Sequence, residues 1–148
     1  MSLRFASCCQ VSDEGLAVLA SSLPASLQVL HLDIRACERV SDVGLKALAA
    51  SLPSAVQQLS LNLECCRQLT DKGLEALASK VPPSVKQLQL NLFRCEGLTD
   101  ASLAAIASNF PPSLRQLDID VRWCGKMTEL GLAAIGRGPP PPPEELRR

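Results

Sequence analysis

Cysteines, carboxylates and a single histidine are the residues of this chain with reactive side chains, and their spacing decides what chemistry is open to them. There are seven cysteines. Cys8, Cys37, Cys66, Cys95 and Cys124 stand 29 residues apart. A metal centre needs thiols or imidazoles converging in a tetrahedron, and a file of single thiols at a long fixed step does not converge. Neighbouring members of the file could approach disulfide distance, but buried thiols in a reducing compartment stay reduced. A neutral cysteine is also a small, readily buried apolar group with a weak S–H donor. The file therefore reads as a structural ladder that fills a narrow turn and bonds to turn backbone in the next repeat. Cys9 and Cys65 lie off the file and are candidates for adventitious oxidation. His31 is the only histidine and tyrosine is absent. It shares a strand face with Asp33, a placement that reads as surface and not as a catalytic dyad. No Ser/His/Asp, Cys/His or phosphate-loop pattern occurs. No catalytic residue, cofactor or metal ligand is expected.

The period that spaces the cysteines governs the whole chain. Leu30, Leu59, Leu88 and Leu117 keep the 29-residue step. So do Leu32, Leu61, Leu90 and Ile119, then Pro24, Pro53, Pro82 and Pro111. Asp13, Asp42, Asp71, Asp100 and Glu129 form another column, and Leu16, Leu45, Leu74, Leu103 and Leu132 a further one. Such regular self-similarity is the mark of a repeat architecture. The first half of each unit alternates, as in Leu27 to Ile34. Leu30, Leu32 and Ile34 point one way and Val29, His31 and Asp33 the other, which predicts a strand. The second half, Ser41 to Pro53, places Leu45, Leu48, Ala49 and Leu52 on one helix face. Ser12, Ser41, Thr70, Thr99 and Thr128 sit where an N-cap belongs, and the acidic residue that follows suits the positive end of the helix dipole. Proline closes each full helix.

One strand and one helix cannot bury their apolar faces alone, but stacked copies share a continuous core. Strands pack about 4.8 Å apart and helices about 8–10 Å apart, so the strands must line the inside of a curve. The expected architecture is α/β: a right-handed solenoid arc of about five 29-residue strand–helix repeats with a parallel sheet on its concave face. The repeat domain is expected over 1–138 and a proline-rich tail over 139–148.

The pattern L-x-x-L-x-L, then cysteine, then L-T-D-x-G-L, is carried by Leu27, Leu30, Leu32, Cys37 and Val40-Ser41-Asp42-Val43-Gly44-Leu45. It returns as Val56, Leu59, Leu61, Cys66 and Leu69-Thr70-Asp71-Lys72-Gly73-Leu74. It resembles the cysteine-containing leucine-rich repeats, over roughly nine-tenths of the chain. One departure stands out: four residues separate Leu32 from Cys37, where the family pattern has two. The extra pair adds an inward residue, Ile34, Leu63, Leu92 or Val121, and predicts longer strands. The full-length helix and the period are similar to the ribonuclease-inhibitor type. The resemblance implies protein recognition, and its cysteine-containing members often form the substrate-binding part of F-box ubiquitin-ligase subunits. No room for an F-box is expected before the first repeat, so that role stands as an alternative.

Composition agrees with a folded soluble protein and not a disordered one. Hydrophobic residues make up 47% of the 148, charged residues 20%, and 15 basic residues balance 15 acidic ones. Without a basic excess, nucleic-acid binding has no electrostatic support. No run of 18 apolar residues suggests a membrane span, and the N-terminal stretch lacks the long apolar region of a signal peptide. The chain is expected in the cytoplasm or nucleus. Its partner surface is expected on the outward strand positions. One column reads His31, Ser60, Gln89, Asp118; the next Arg4, Asp33, Asn62, Asn91, Asp120; the third Arg35, Glu64, Phe93, Arg122. Phe93 and Trp123, the latter at the rim, are the candidate anchors, because large apolar groups among polar neighbours mark hot spots. The plain alternative is that these columns solvate the sheet, with the Asn/Asp column forming a hydrogen-bonded ladder. Glu38, Arg67 and Glu96 alternate in sign and are expected to sit close enough to help set the register.

The ends carry no evident caps, so self-association through exposed strand edges is expected as an option. The tail holds Pro139 to Pro143, a polyproline II segment suited to SH3 or WW domains or a simple exit from the solenoid. The leading function is a non-catalytic module that binds a protein on its concave sheet. A self-assembling structural segment and a substrate-receptor fragment of a ubiquitin ligase are the alternatives.

Overall fold

The computed structural model describes residues 1–5 and 10–136. Five strands alternate with five helices: β1 (Ser2–Arg4), α1 (Asp13–Ser21), β2 (Val29–Asp33), α2 (Asp42–Ala50), β3 (Gln58–Asn62), α3 (Asp71–Lys80), β4 (Gln87–Asn91), α4 (Asp100–Ser108), β5 (Gln116–Asp120) and α5 (Glu129–Gly136). The strands form one parallel sheet in chain order. Its register is the period made spatial: Leu30 pairs with Leu59, Leu59 with Leu88, and Leu88 with Leu117. Each helix packs on its sequence neighbours. Leu30, Leu32 and Ile34 point from the sheet into the core and meet Leu45 and Leu48 from the helix, all of them buried. The segments 6–9 and 137–148, with Cys8, Cys9 and the polyproline tail, lie outside the described residues.

The helix starts are as the sequence predicts. The Ser41 hydroxyl accepts from the Val43 N–H at 3.2 Å, and Thr70, Thr99 and Thr128 repeat the bond. The aspartate after each cap does more than meet a dipole. The Asp13 carboxylate accepts from the Ser41 N–H at 2.7 Å, the Ser41 hydroxyl at 2.6 Å and the Gly44 N–H at 2.9 Å. Those donors open the helix of the following repeat. Asp42, Asp71 and Asp100 reach forward to Thr70, Thr99 and Thr128 in the same way. The close approach explains a glycine column. A Cβ on Gly44 would strike Asp13 Oδ1 and lie 3.1 Å from Asp13 Cα; one on Gly73 would meet Asp42 likewise. Ser102 takes that position in the fourth repeat and donates its hydroxyl to Asp71.

Two expectations need correction. The inward alternation does reach Ile34, Leu63 and Leu92, which are fully buried. Their N–H groups still bond the next strand, Ile34 to the Asn62 carbonyl at 3.0 Å and Leu63 to that of Asn91 at 2.8 Å. Regular strand nonetheless ends at Asp33, Asn62, Asn91 and Asp120, each strand from β2 onward holding five residues. The chain turns there because the side chain of that last residue accepts the N–H two positions on, as Asn62 does from Glu64 at 3.2 Å. The cysteine ladder also runs the other way from the expectation. Sγ of Cys66 donates to the Ile34 carbonyl at 3.3 Å, Cys95 to Leu63 at 3.1 Å and Cys124 to Leu92 at 3.0 Å. Every one of these acceptors lies in the preceding repeat. The backbone N–H groups of the turn point the other way, Cys65 to the Phe93 carbonyl at 2.8 Å and Arg94 to that of Arg122 at 3.1 Å.

Burial of the Asp71 carboxylate opposes its ionisation, but hydrogen bonds from Ser102 and Thr99 outweigh it and hold the group below the usual carboxylate range. A folded-state value below the unfolded one, near 4, contributes stability in full above that pH and loses it on acidification. Asp71→Asn is expected to cost about 1–2 kcal/mol at neutral pH and to flatten the loss of melting temperature below about pH 4, measured by circular dichroism across pH. Gly73→Ala is expected to destabilise by about 1–3 kcal/mol through overpacking. Gly15→Ala, whose Cβ would meet only Ser12 Oγ at 3.9 Å, should instead stabilise by about 0.5–1 kcal/mol. Urea denaturation of the pair reads both signs.

Candidate partner-binding surface

The outward positions of the strands form the exposed face of the sheet. His31 and Asp118 are exposed, and Ser60 and Gln89 lie between them in the register. This column makes a side-chain ladder. The Ser60 hydroxyl donates to Gln89 Oε1 at 3.1 Å, and Gln89 Nε2 donates to Asp118 Oδ2 at 3.1 Å. The Asn/Asp column, for which a ladder is the plain alternative, does not form one. Asp33, Asn62, Asn91 and Asp120 each accept from the backbone N–H two residues ahead in their own chain segment. A short side chain at a strand end reaches its own turn more easily than a neighbour about 4.8 Å away.

His31, Asp33, Arg35, Asn62 and Asn91 line one shallow depression of about 580 Å³, together with Arg4, Ser60 and Gln89. Asp33 and Arg35 pair at 3.1 Å on its edge. A smaller hollow of about 110 Å³ follows the glutamines Gln58, Gln87 and Gln116 toward Asp118. Glu64 continues the third column, half-buried beside the turn. Phe93, Arg122 and Trp123 do not line either hollow. They gather past the strand ends, where Arg122 lies over the Phe93 ring at 5.7 Å. Arg122 also grips Asp120 with Nη2 at 2.6 Å and Nε at 3.0 Å. That hydrogen-bonded partner holds the Asp120 carboxyl below its usual range. Trp123 is 72% exposed, at the rim as expected.

Arg94 belongs to this cluster, although it is not among the expected partner-binding residues. Its guanidinium lies 6.0 Å from the Phe93 ring and 5.6 Å from that of Trp123. The signal in the sequence was the appearance of arginine in a column that reads Ala36 and Cys65 earlier. The Glu38, Arg67 and Glu96 column forms no ion pair among the described residues. Instead Gln68 Nε2 donates to the Glu38 carbonyl at 2.6 Å.

Against known proteins, the family model described as Leucine Rich repeat matches residues 28–49 and 59–78. With the parallel ladder already in view, that match decides the fold. This is a leucine-rich-repeat solenoid. Among solved structures, one that shares its fold is a chain in the crystal structure of the Rad7 and Elc1 complex in yeast, with a TM-score of 0.65 and 22% identity. The likeness covers 84% of this chain and 30% of that one, so the solenoid spans less than a third of the relative's length. No curated protein matches the sequence. Among the described residues no cluster of His, Cys, Asp and Glu is arranged to hold a metal ion, and no helix is long and apolar enough to cross a membrane.

Burial quiets the thiols of Cys66, Cys95 and Cys124. Burial pushes Cys66 and Cys95 up to about 12 and raises Cys124 as well. Only the thiolate attacks an alkylating agent. Iodoacetamide at pH 8 is therefore expected to modify half-buried Cys65 while leaving Cys66, Cys95 and Cys124 intact until the protein unfolds. Peptide mapping by mass spectrometry reads this directly, and equal labelling of Cys65 and Cys95 in the native protein would refute the buried ladder.

Proposed function

We propose that this solenoid is a non-catalytic module that binds a protein partner on its concave sheet. One observation carries the reading: side chains held at a fixed step by the strand register form a continuous polar floor, with an arginine–aromatic cluster at one end. The floor is broad and shallow, suited to a protein surface and not to an engulfed small molecule. It mixes both charge signs, which favours selective pairing over attraction to polyanions. Trp and Arg are the types enriched among the few residues that dominate binding. The likeness to a chain from a two-protein complex fits the same reading. The cysteine-containing repeat pattern supports a second, narrower one, that the module is the substrate-receptor segment of a ubiquitin ligase.

Affinity capture with mass spectrometry tests both. Partners held by the wild-type chain are expected to be lost with Phe93→Ala and His31→Ala combined, each hot-spot truncation weakening binding by about 2 kcal/mol or more. The helix-face controls Lys46→Ala and Glu75→Ala should keep them, with circular dichroism confirming the fold of every variant. Loss that follows the helix-face variants would overturn the concave reading. Recovery of ligase core subunits would select the narrower one.

A further inference from the structure

We infer that the strand-end cluster of Phe93, Arg94, Arg122 and Trp123 receives a short acidic segment of the protein partner, one carboxylate on Arg94 and an adjoining apolar side chain on the Trp123 indole. The inference rests on the reading of the solenoid as a protein-binding module and adds where and what it recognises.

The backbone supplies the first argument. Ala36, Cys65, Arg94 and Trp123 occupy equivalent positions after the strands, with φ of 55°, 59°, 58° and 64°. That left-handed conformation costs an L residue roughly 1–2 kcal/mol, favours glycine and is uncommon for bulky residues. Inter-repeat hydrogen bonds accompany it in the inner repeats: the Cys65 N–H donates to the Phe93 carbonyl at 2.8 Å and the Arg94 N–H to the Arg122 carbonyl at 3.1 Å. The second and third repeats carry alanine and cysteine there. The fourth and fifth place two of the largest side chains there instead. Trp123, largely exposed, returns almost no core packing for its size. Neither backbone preference nor burial accounts for these two residues, and strained positions of this kind concentrate at functional sites.

Charge supplies the second argument. Arg122 already has its carboxylate in Asp120. Arg94 has no ion-pair partner among the described residues. Its guanidinium lies over the Phe93 and Trp123 rings, and its N–H groups remain donors for an acceptor from a partner. A carboxylate fits such donors in bidentate fashion. Asp120 and Glu96 put negative charge close by in space or sequence, which suits a ligand with one or two carboxylates and disfavours a polyphosphate backbone. The indole beside Arg94 is an apolar platform for the residue next to the acid.

A random peptide library displayed on phage and selected against the whole chain tests the proposal. Selected peptides are expected to share an Asp or Glu beside an aromatic, aliphatic or proline residue. Their synthetic versions should shift the emission of Trp123, the chain's single tryptophan, and bind about tenfold or more weakly to Arg94→Gln. Trp123→Gly separates recognition from structure, read by calorimetric titration and thermal melting. It should abolish binding while leaving the melting temperature equal or higher, because glycine relieves the left-handed strain. A drop in melting temperature of the size expected for a core residue would make Trp123 structural and overturn the proposal. So would peptides without acidic residues, equal binding to Arg94→Gln, no selected peptide at all, or an equal emission shift with inorganic phosphate. Peptides that ignore Arg94→Gln but are lost with His31→Ala would defeat the cluster and leave the concave-sheet reading standing.

Discussion

Asp13, Asp42, Asp71 and Asp100 each stand in the first turn of one helix and direct their oxygens to the first turn of the next. A helix begins with backbone N–H groups that no earlier turn can satisfy. Here the cap residue of the same repeat meets one of them and the aspartate of the preceding repeat meets another. The interaction fixes the separation and the phase of neighbouring helices together. It also leaves little room for a Cβ at Gly44 and Gly73, and where Ser102 takes the position its hydroxyl joins the bonds to the aspartate. Without it the helices could slide on their leucine faces, since apolar contact is not directional.

Hydrogen bonds from the cysteine file do for the strand side what the aspartates do for the helix side, but in the opposite direction along the stack. Thiols donate backward to Ile34, Leu63 and Leu92, and carboxylates accept from the helix ahead. Each repeat is thus tied through its turn and through its helix start, while leucines fill the space between. Buried polar groups are satisfied throughout: among the described residues no buried side-chain nitrogen or oxygen lacks a partner. The aspartate and cysteine ties leave the outward strand positions for other work, although Ser60, Gln89 and Asp118 ladder there and the Asn/Asp column holds the turns.

That division explains why the surface changes character along the arc. Near β1 and β2 the floor is small and polar, with Asp33 and Arg35 paired. Toward β5 it ends in stacked arginines and aromatic rings. The scaffold is nearly identical in every repeat, so the difference lies in what each repeat places on common backbone positions. The left-handed residue after each strand is the clearest case, filled by alanine in one repeat and tryptophan in another.

By itself the sequence determined the repeat length, the strand and helix halves, the buried leucines, the N-caps and the columns that face outward. It could do so because stacking in register turns a separation of 29 residues into adjacency, and each half carries its own periodicity. Only the tertiary structure decided which neighbour each polar group serves. Spacing alone does not say whether a thiol bonds forward or back, or that Asp13 belongs to the helix at Ser41 as much as to its own. Nor does it reveal that Asn62 turns inward to its own backbone instead of laddering, or that Arg94 lies between two rings. Those outcomes depend on where the chain leaves the strand and on the left-handed turn that follows, a backbone geometry invisible in the one-dimensional pattern.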